Sequence, residues 1–226
     1  MNDSVRRIVI ATGNQGKLAE IRQILHGDDV DIVPLSEFDF EPADETGDTF
    51  LENALLKARK AASETGLVAI ADDSGLMVDA IGGAPGVYSA RYAGDNASDE
   101  QNVTKLLSKL KGVNGENRSA AFHCVAVVVF PGEERPPLVA EGEWHGRIAI
   151  AASGEGGFGY DPVFFDPDLG KCAAEMTAGE KNARSHRGQA FRQIGMLLTD
   201  AGPDRASGGA PTEPVERPQQ RLPRRE

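Results

Sequence analysis

Leu67-Val68-Ala69-Ile70-Ala71-Asp72-Asp73-Ser74-Gly75 is the stretch on which the fold turns. Leu67 to Ile70 is a short apolar run of the kind that forms a buried strand in a parallel sheet. Two adjacent carboxylates, Asp72 and Asp73, then stand where that strand is expected to end. In open α/β sheets the crevice outside the carboxyl ends of the strands is where ligands bind. Two acids there suit a divalent cation or a general base. A solvated turn with an Asx cap accounts for them as well, so other segments must decide.

Upstream, Arg7-Ile8-Val9-Ile10-Ala11 reads as a first strand. Leu18, Ile21, Ile24 and Leu25 recur at helical spacing and predict a helix over roughly 17–26. Asp31-Ile32-Val33-Pro34-Leu35 closes a strand–helix–strand unit. Thr49-Phe50-Leu51-Glu52 is a capping-box signature. Its helix carries Leu51, Ala54, Leu55, Ala58 and Ala62 on one side and stops at Gly66. Downstream, Gly82-Gly83-Ala84-Pro85-Gly86 is rich in turns, and Ser98-Asp99-Glu100-Gln101 is a second capping box. Val103, Leu106, Leu107 and Leu110 give that helix a buried stripe. Ala120 to Phe130 predicts a long strand with Pro137 to Trp144 as its hairpin partner, which adds an antiparallel portion. Thr177-Ala178-Gly179-Glu180 caps a last helical region that reaches Thr199. The fold class expected is α/β, a mixed sheet flanked by helices.

The 226 residues fit one large or two-lobed domain, with 40% hydrophobic residues for a core. We place that domain at residues 1–202. From Pro203 to Glu226, Pro, Gly, Gln and Arg dominate and no apolar period survives, so the tail reads as disordered. Its five Arg against four acidic residues are too weak an excess for a nucleic-acid arm. The net charge of −11 argues against binding nucleic-acid polymers, so any phosphate site must bring its own local cations. No apolar stretch has membrane-spanning length, and Met1 to Arg7 run into a strand without a signal-peptide pattern. Cys124, in an apolar strand, and the distant Cys172 fit a cytoplasmic protein without disulfides.

Four further segments bear on chemistry. Thr12-Gly13-Asn14-Gln15-Gly16-Lys17 lies between the first strand and first helix. Backbone N–H groups at a helix N-terminus, glycines for close approach and a lysine make an anion site. It is neither a Walker A loop nor a dinucleotide fingerprint, and a plain turn with a solvated lysine is the alternative. Glu45, in Glu45-Thr46-Gly47, is a candidate metal ligand, whereas capping explains Glu52 and loop solvation explains Asp44 and Asp48. Phe158-Gly159-Tyr160-Asp161 follows a glycine-dense loop that can present a ring for stacking beside a polar acceptor. The alternative is a phenylalanine packed into the core. Lys181 and Ser185-His186-Arg187-Gly188 supply cations. On one regular helix Lys181 and Arg187 would lie about 240° apart. They converge only if Ser185 caps a new helix with His186 and Arg187 in its first turn. Otherwise they form a solvated basic face.

Taken in order, TGNQGK (12–17), ETGDTFLENALLKAR (45–59), ADDSGLMVDAIGGAPGVYSARYAG (71–94), GGFGYDPVFF (156–165) and EKNARSHRGQA (180–190) resemble the inosine triphosphate pyrophosphatase family in its bacterial dITP/XTP pyrophosphatase branch. The resemblance spans about residues 7–199 and omits the tail. It implies an elongated α/β fold with two lobes and the active-site cleft between them, a homodimer, and a requirement for Mg²⁺. It also implies cleavage of ITP, dITP and XTP to the monophosphate and pyrophosphate, which removes deaminated purines from the nucleotide pool.

Residue by residue, the resemblance makes Asp73 the proton acceptor and a metal ligand. Glu45 joins the metal region, with the neighbouring Asp44 left open and Asp72 as a support or cap. Thr12, Gly13, Asn14, Gln15, Gly16, Lys17 and Ser74 fall in nucleotide-binding segments, and Lys181 adds a cation. Phe158 stacks on the base, with Gly159, Tyr160, Asp161, His186 and Arg187 at or near its edge. A pocket donating to a 6-oxygen strands its donors against adenine's 6-amino group, a mismatch worth on the order of 10⁴-fold. A related diphosphatase of other nucleotide preference and a non-catalytic nucleotide sensor are the competing readings. The presence of Asp73, Glu45 and Lys17 favours an enzyme over a sensor.

Overall fold

The apolar run at Val68 does not end at the paired aspartates. In the computed structural model, which describes residues 6–26, 30–132 and 135–200, strand β3 continues from Val68 to Val78. It pairs in parallel with β1 (Arg6–Ile10) only through Val68, Ala69 and Ile70. On its other side it pairs antiparallel with β4 (Ser119–Val129) from Ala69 to Val78. Asp72 and Asp73 therefore sit mid-strand, which corrects the expected strand end. Asp, Ser and Gly favour turns in isolation, but pairing with β4 and burial override that preference. What ends here is β1. Its last link is the Ala11 N–H donating to Ile70 O at 2.8 Å. From Ala71 to Leu76 the ladder runs on the β4 side alone, and the opening beside it holds the site.

Seven strands make one sheet in the order β2-β1-β3-β4-β5-β6-β7, with β2 at Val30–Pro34, β5 at Leu138–Ile148, β6 at Phe164–Asp166 and β7 at Lys171–Cys172. The β2-β1-β3 portion is parallel and the rest antiparallel, as a mixed α/β fold requires. Helices α1 (Gln15–Ile24) and α5 (His186–Asp200) cover one face. Leu18, Ile21, Phe191 and Ile194 pack there on Ile8, Ile10, Ile70 and Ala126. Helix α2 (Phe50–Thr65) covers the other face through Ala54, Ala58, Ala61 and Ala62 against Val9, Ala69, Ala71 and Val127. Small side chains let that helix lie close to the strands, so polar groups on its inner face reach β3. A third cluster gathers Leu76, Phe122, Trp144 and Phe164 under α3 (Asp99–Lys109).

Both expected capping boxes form, and Gly66 ends α2 at φ 65°. The last helical region breaks, which is the alternative that lets Lys181 and Arg187 converge. Helix α4 (Ala178–Arg184) ends at Ser185, whose ψ of 153° is extended. The Ser185 hydroxyl then accepts from the Gly188 N–H at 3.0 Å as α5 begins. No helix among the described residues is long and apolar enough to cross a membrane. The expected tail, 203–226, lies outside the described residues.

Candidate active site

Successive strand side chains point to opposite faces, so the two aspartates serve different neighbourhoods. Asp72 faces α1 and α5. Its Oδ2 accepts from Lys17 Nζ at 3.1 Å, from the Ser74 hydroxyl at 3.1 Å and from Arg187 Nη2 at 3.5 Å. Burial alone would push this carboxyl up, but Lys17 and Arg187 hold it well below the ordinary carboxylate range. Asp72 is thus a fixed anion that holds two cations at the mouth of the sheet.

Asp73 faces α2. Its Oδ2 accepts from Asn53 Nδ2 at 3.0 Å and its Oδ1 from the Ser74 N–H at 3.0 Å. Lys57 Nζ lies 3.6 Å from Oδ1 and 2.8 Å from Glu45 Oε1. Arg91 holds Glu45 from the other side, 3.4 Å from its carboxylate and 3.3 Å from its backbone oxygen. Burial raises the Asp73 pKa, with Lys57 opposing and Glu45 reinforcing the shift. Glu45 moves the other way: burial is the largest single influence and pushes it up, but Lys57 in direct contact, with Lys17 and Arg91, together bring it below its ordinary value. Two carboxylates thus share one ammonium. An oxygen-donor pair with a cation already seated between its members fits a hard divalent ion. No cluster of three or more His, Cys, Asp or Glu that could hold a metal occurs among the described residues.

The loop before α1 and the glycine-dense loop meet. Asn14 caps α1, its side chain accepting from the Lys17 N–H at 3.0 Å. Gly13, Asn14 and Gln15 are exposed and Thr12 half-buried. Gly16 is required by its neighbour: a Cβ there would sit 2.7 Å from the Phe158 ring. That ring, half-buried, has Lys181 Nζ 4.7 Å and Arg187 Cζ 5.6 Å from its centroid. Asp161 accepts from the Phe158 N–H at 2.9 Å and pairs with Lys181. Glu20 of α1 closes the network, 2.8 Å from Lys181 Nζ and 2.6 Å from Arg187 Nη1. Buried cations persist only when paired in this way.

Sequence profiles decide the family: the Ham1 family matches residues 8–196. The chain belongs to the Ham1 family. It is 57% identical to the dITP/XTP pyrophosphatase of Pectobacterium atrosepticum over 197 residues, 87% of this chain and 98% of that protein. The dITP/XTP pyrophosphatase of Yersinia pseudotuberculosis is 55% identical, covering 87% of this chain and 100% of its own. Among solved structures, the HAM1 protein of Coxiella burnetii is 46% identical with a TM-score of 0.79, covering 87% of this chain and all of that one. The Ham1 protein of Staphylococcus aureus is 42% identical with a TM-score of 0.76 over 87% of this chain and 100% of that chain.

Within this Ham1 fold, Thr12 to Lys17, Ser74, Phe158, Asp161, Lys181 and Arg187 gather around the Asp72 side of β3, and Glu45 joins Asp73 on the other. Gly159, Tyr160 and His186 turn elsewhere. The Gly159 N–H donates to Asp99 at 2.6 Å, and the buried Tyr160 hydroxyl donates to Ser89 O at 2.9 Å. His186 stacks on Phe122 at 4.7 Å, and its burial drives its pKa well below the usual imidazole value, so it is neutral. Asp44 is exposed, and Glu52 is occupied by the cap through Asp48 and Thr49 N–H groups. Sequence reasoning missed Asn53, Lys57, Arg91 and Glu20. Two signals were available. Asn53 and Lys57 are four apart beside the alanine face of α2, and Glu20 is the lone acid of α1.

Proposed function

We propose that this chain hydrolyses the non-standard purine triphosphates dITP, ITP and XTP to the nucleoside monophosphate and pyrophosphate. The observation that carries the reading is Asp73, a buried carboxylate of raised pKa set beside Lys57 and across the strand from Lys17 and Arg187. A base whose pKa is lifted toward the working pH accepts a proton more effectively. Phosphoryl transfer otherwise asks mainly for positioning and charge neutralisation. The names of the Pectobacterium and Yersinia relatives support the substrate class.

In this reading the Thr12–Lys17 loop and the first turn of α1 receive phosphate oxygens, aided by Ser74. Lys17, Lys57 and Lys181 neutralise the polyphosphate. Phe158 stacks on the base, with Asp161 and Arg187 at its edge, His186 backing that wall from its seat on Phe122, and the Gly159-Tyr160 backbone shaping the loop. Water attacks the α-phosphorus and gives its proton to Asp73. The new P–O bond stays with the monophosphate, and the α–β bridging oxygen leaves with pyrophosphate. Glu45 and Asp73 are the residues that would hold Mg²⁺, which when bound neutralises charge on the phosphates. Mg²⁺ suits the pair because it takes one or two carboxylates and completes its shell with phosphate oxygens and waters.

The remaining expectations enter the same proposal. Residues 1–202 act as one two-lobed domain with the site in the cleft, the protein works as a homodimer in the cytoplasm, and it binds no nucleic-acid polymer.

Asp73→Asn tests the assignment. Turnover of ITP should vanish while ITP binding, read by calorimetry without Mg²⁺, stays within about threefold, because the phosphate and base contacts are kept while the proton acceptor is lost. Near-wild-type turnover in that variant would remove Asp73 from the mechanism.

A further inference from the structure

Asn53 is the one polar side chain among the buried residues of α2; the others are Ala54, Ala58, Ala61 and Ala62. Its side chain is wholly enclosed, and both ends of its carboxamide are used. Oδ1 accepts from the Gly47 N–H at 2.8 Å, and Nδ2 donates to Asp73 Oδ2 at 3.0 Å. The partners leave no choice of amide orientation. A flip would set the amino group against an N–H and the carbonyl against a carboxylate. The contact with Gly47 is also tight. A Cβ at Gly47 would come within 2.8 Å of Asn53 Oδ1 and 2.6 Å of Glu52 Cβ.

These contacts register two segments that are far apart in the chain. Gly47 stands two residues after Glu45, and Asp73 lies in β3. One side chain on a helix ties both down. Lys57, one turn further along α2, bridges the same two carboxylates. Because Asn53 engages Asp73 Oδ2, Oδ1 is the oxygen turned toward Lys57.

We propose that Asn53 is a positioning residue, fixing the separation of the Glu45 and Asp73 carboxylates and the orientation of Asp73, whose Oδ1 faces Lys57 while accepting from the Ser74 N–H. It touches neither phosphate nor base. The inference rests on the pyrophosphatase reading of the site.

Asn53→Asp is the sharper test. It is nearly isosteric and keeps an acceptor for Gly47, but it replaces the donor to Asp73 with an oxygen. It should lower kcat for ITP about 100-fold, the usual cost of a misplaced reacting group. KM should stay within about threefold, since the phosphate and base contacts are untouched. Asn53→Ala should lower kcat similarly and also abolish slow hydrogen exchange at the Gly47 amide, which Asn53→Asp preserves. A folded Asn53→Asp protein with kcat near wild type, or with its loss confined to KM, overturns the proposal. If neither variant folds, the Asn53 carboxamide itself decides, compared between wild type and Asp73→Asn. Asn53 side-chain amide protons that shift when Asp73 becomes Asn support the tie, and rapidly exchanging, unshifted ones refute it. Wild-type turnover is measured alongside. An inactive wild type on ITP would count against the function itself, whereas an active wild type with an active Asn53→Asp counts against Asn53 alone.

Discussion

Replacing Lys57 by methionine removes one positive charge from between two carboxylates while keeping much of the side chain's bulk. The ammonium lies 2.8 Å from Glu45 and 3.6 Å from Asp73, with the lysine side chain 13% exposed. At an effective dielectric constant of ~20 each contact is worth roughly 5 kcal/mol before desolvation is charged against it. Solvent at the half-buried Glu45 and the nearby Lys17 absorb much of this.

The direction is fixed. Burial already raises the Asp73 pKa, and Lys57 is the leading influence that lowers it, so its removal raises Asp73 further. A residual of roughly 2 kcal/mol corresponds to about 1–2 pH units at ~1.4 kcal/mol per unit. Asp73 must be ionised to accept a proton, so activity falls as pH drops through its pKa. The acid limb of the kcat/KM profile, which reports the free enzyme, should therefore move up by about 1–2 units in Lys57→Met. The assay is pyrophosphate release from ITP across pH 5 to 10 at saturating Mg²⁺. A second readout needs no turnover. Mn²⁺ should bind the nucleotide-free variant more tightly than wild type, because no ammonium competes for the carboxylates. An acid limb that stays put or moves down, together with unchanged Mn²⁺ binding, would refute the reasoning.

Two other substitutions separate structural from catalytic roles. Asp72→Asn should destabilise the fold by about 3–5 kcal/mol at pH 7, as removing one partner from a buried ion pair does. The folded Asp72 pKa is depressed, so its contribution is present above the unfolded value of about 3.9 and is lost as pH falls toward the folded value. Urea unfolding at pH 7 and pH 3 should show the gap between wild type and variant narrowing at the lower pH. Tyr160→Phe deletes the hydroxyl bond to Ser89 O and should cost about 1 kcal/mol in urea unfolding. Its kcat/KM for ITP should stay close to wild type. A large kinetic loss would mean that the hydroxyl reaches the substrate.

Much of this architecture could be read from local chemistry. Thr49, Glu52 and Gly66 mark both ends of α2 because capping groups act within one turn. The break at Ser185 was one of two readings of the Lys181–Arg187 spacing, and the extended Ser185 decides for it. The Asp-Asp-Ser-Gly run misled because its turn character is local, whereas the strand that overrides it is made by pairing Asp73 with Val125 across the sheet. The residues missed at the site share one trait. Glu20 meets Arg187 across 167 positions and Asn53 meets Asp73 across 20. Local spacing marks them as polar residues beside an apolar helix face, but not which distant groups they meet. Lys57 lies one turn beyond Asn53 on α2, and only the fold reveals two carboxylates at its tip.

The central claim is water attack at the α-phosphorus of a non-standard purine triphosphate. The most direct test follows products by phosphorus NMR in ¹⁸O-enriched water, with ITP, dITP, XTP, GTP and ATP as substrates, with and without Mg²⁺. The account predicts Mg²⁺-dependent monophosphate and pyrophosphate from ITP, dITP and XTP far ahead of GTP and ATP, with the heavy oxygen in the monophosphate. Label in pyrophosphate, release of orthophosphate and diphosphate, or bound ITP that is never turned over would contradict it.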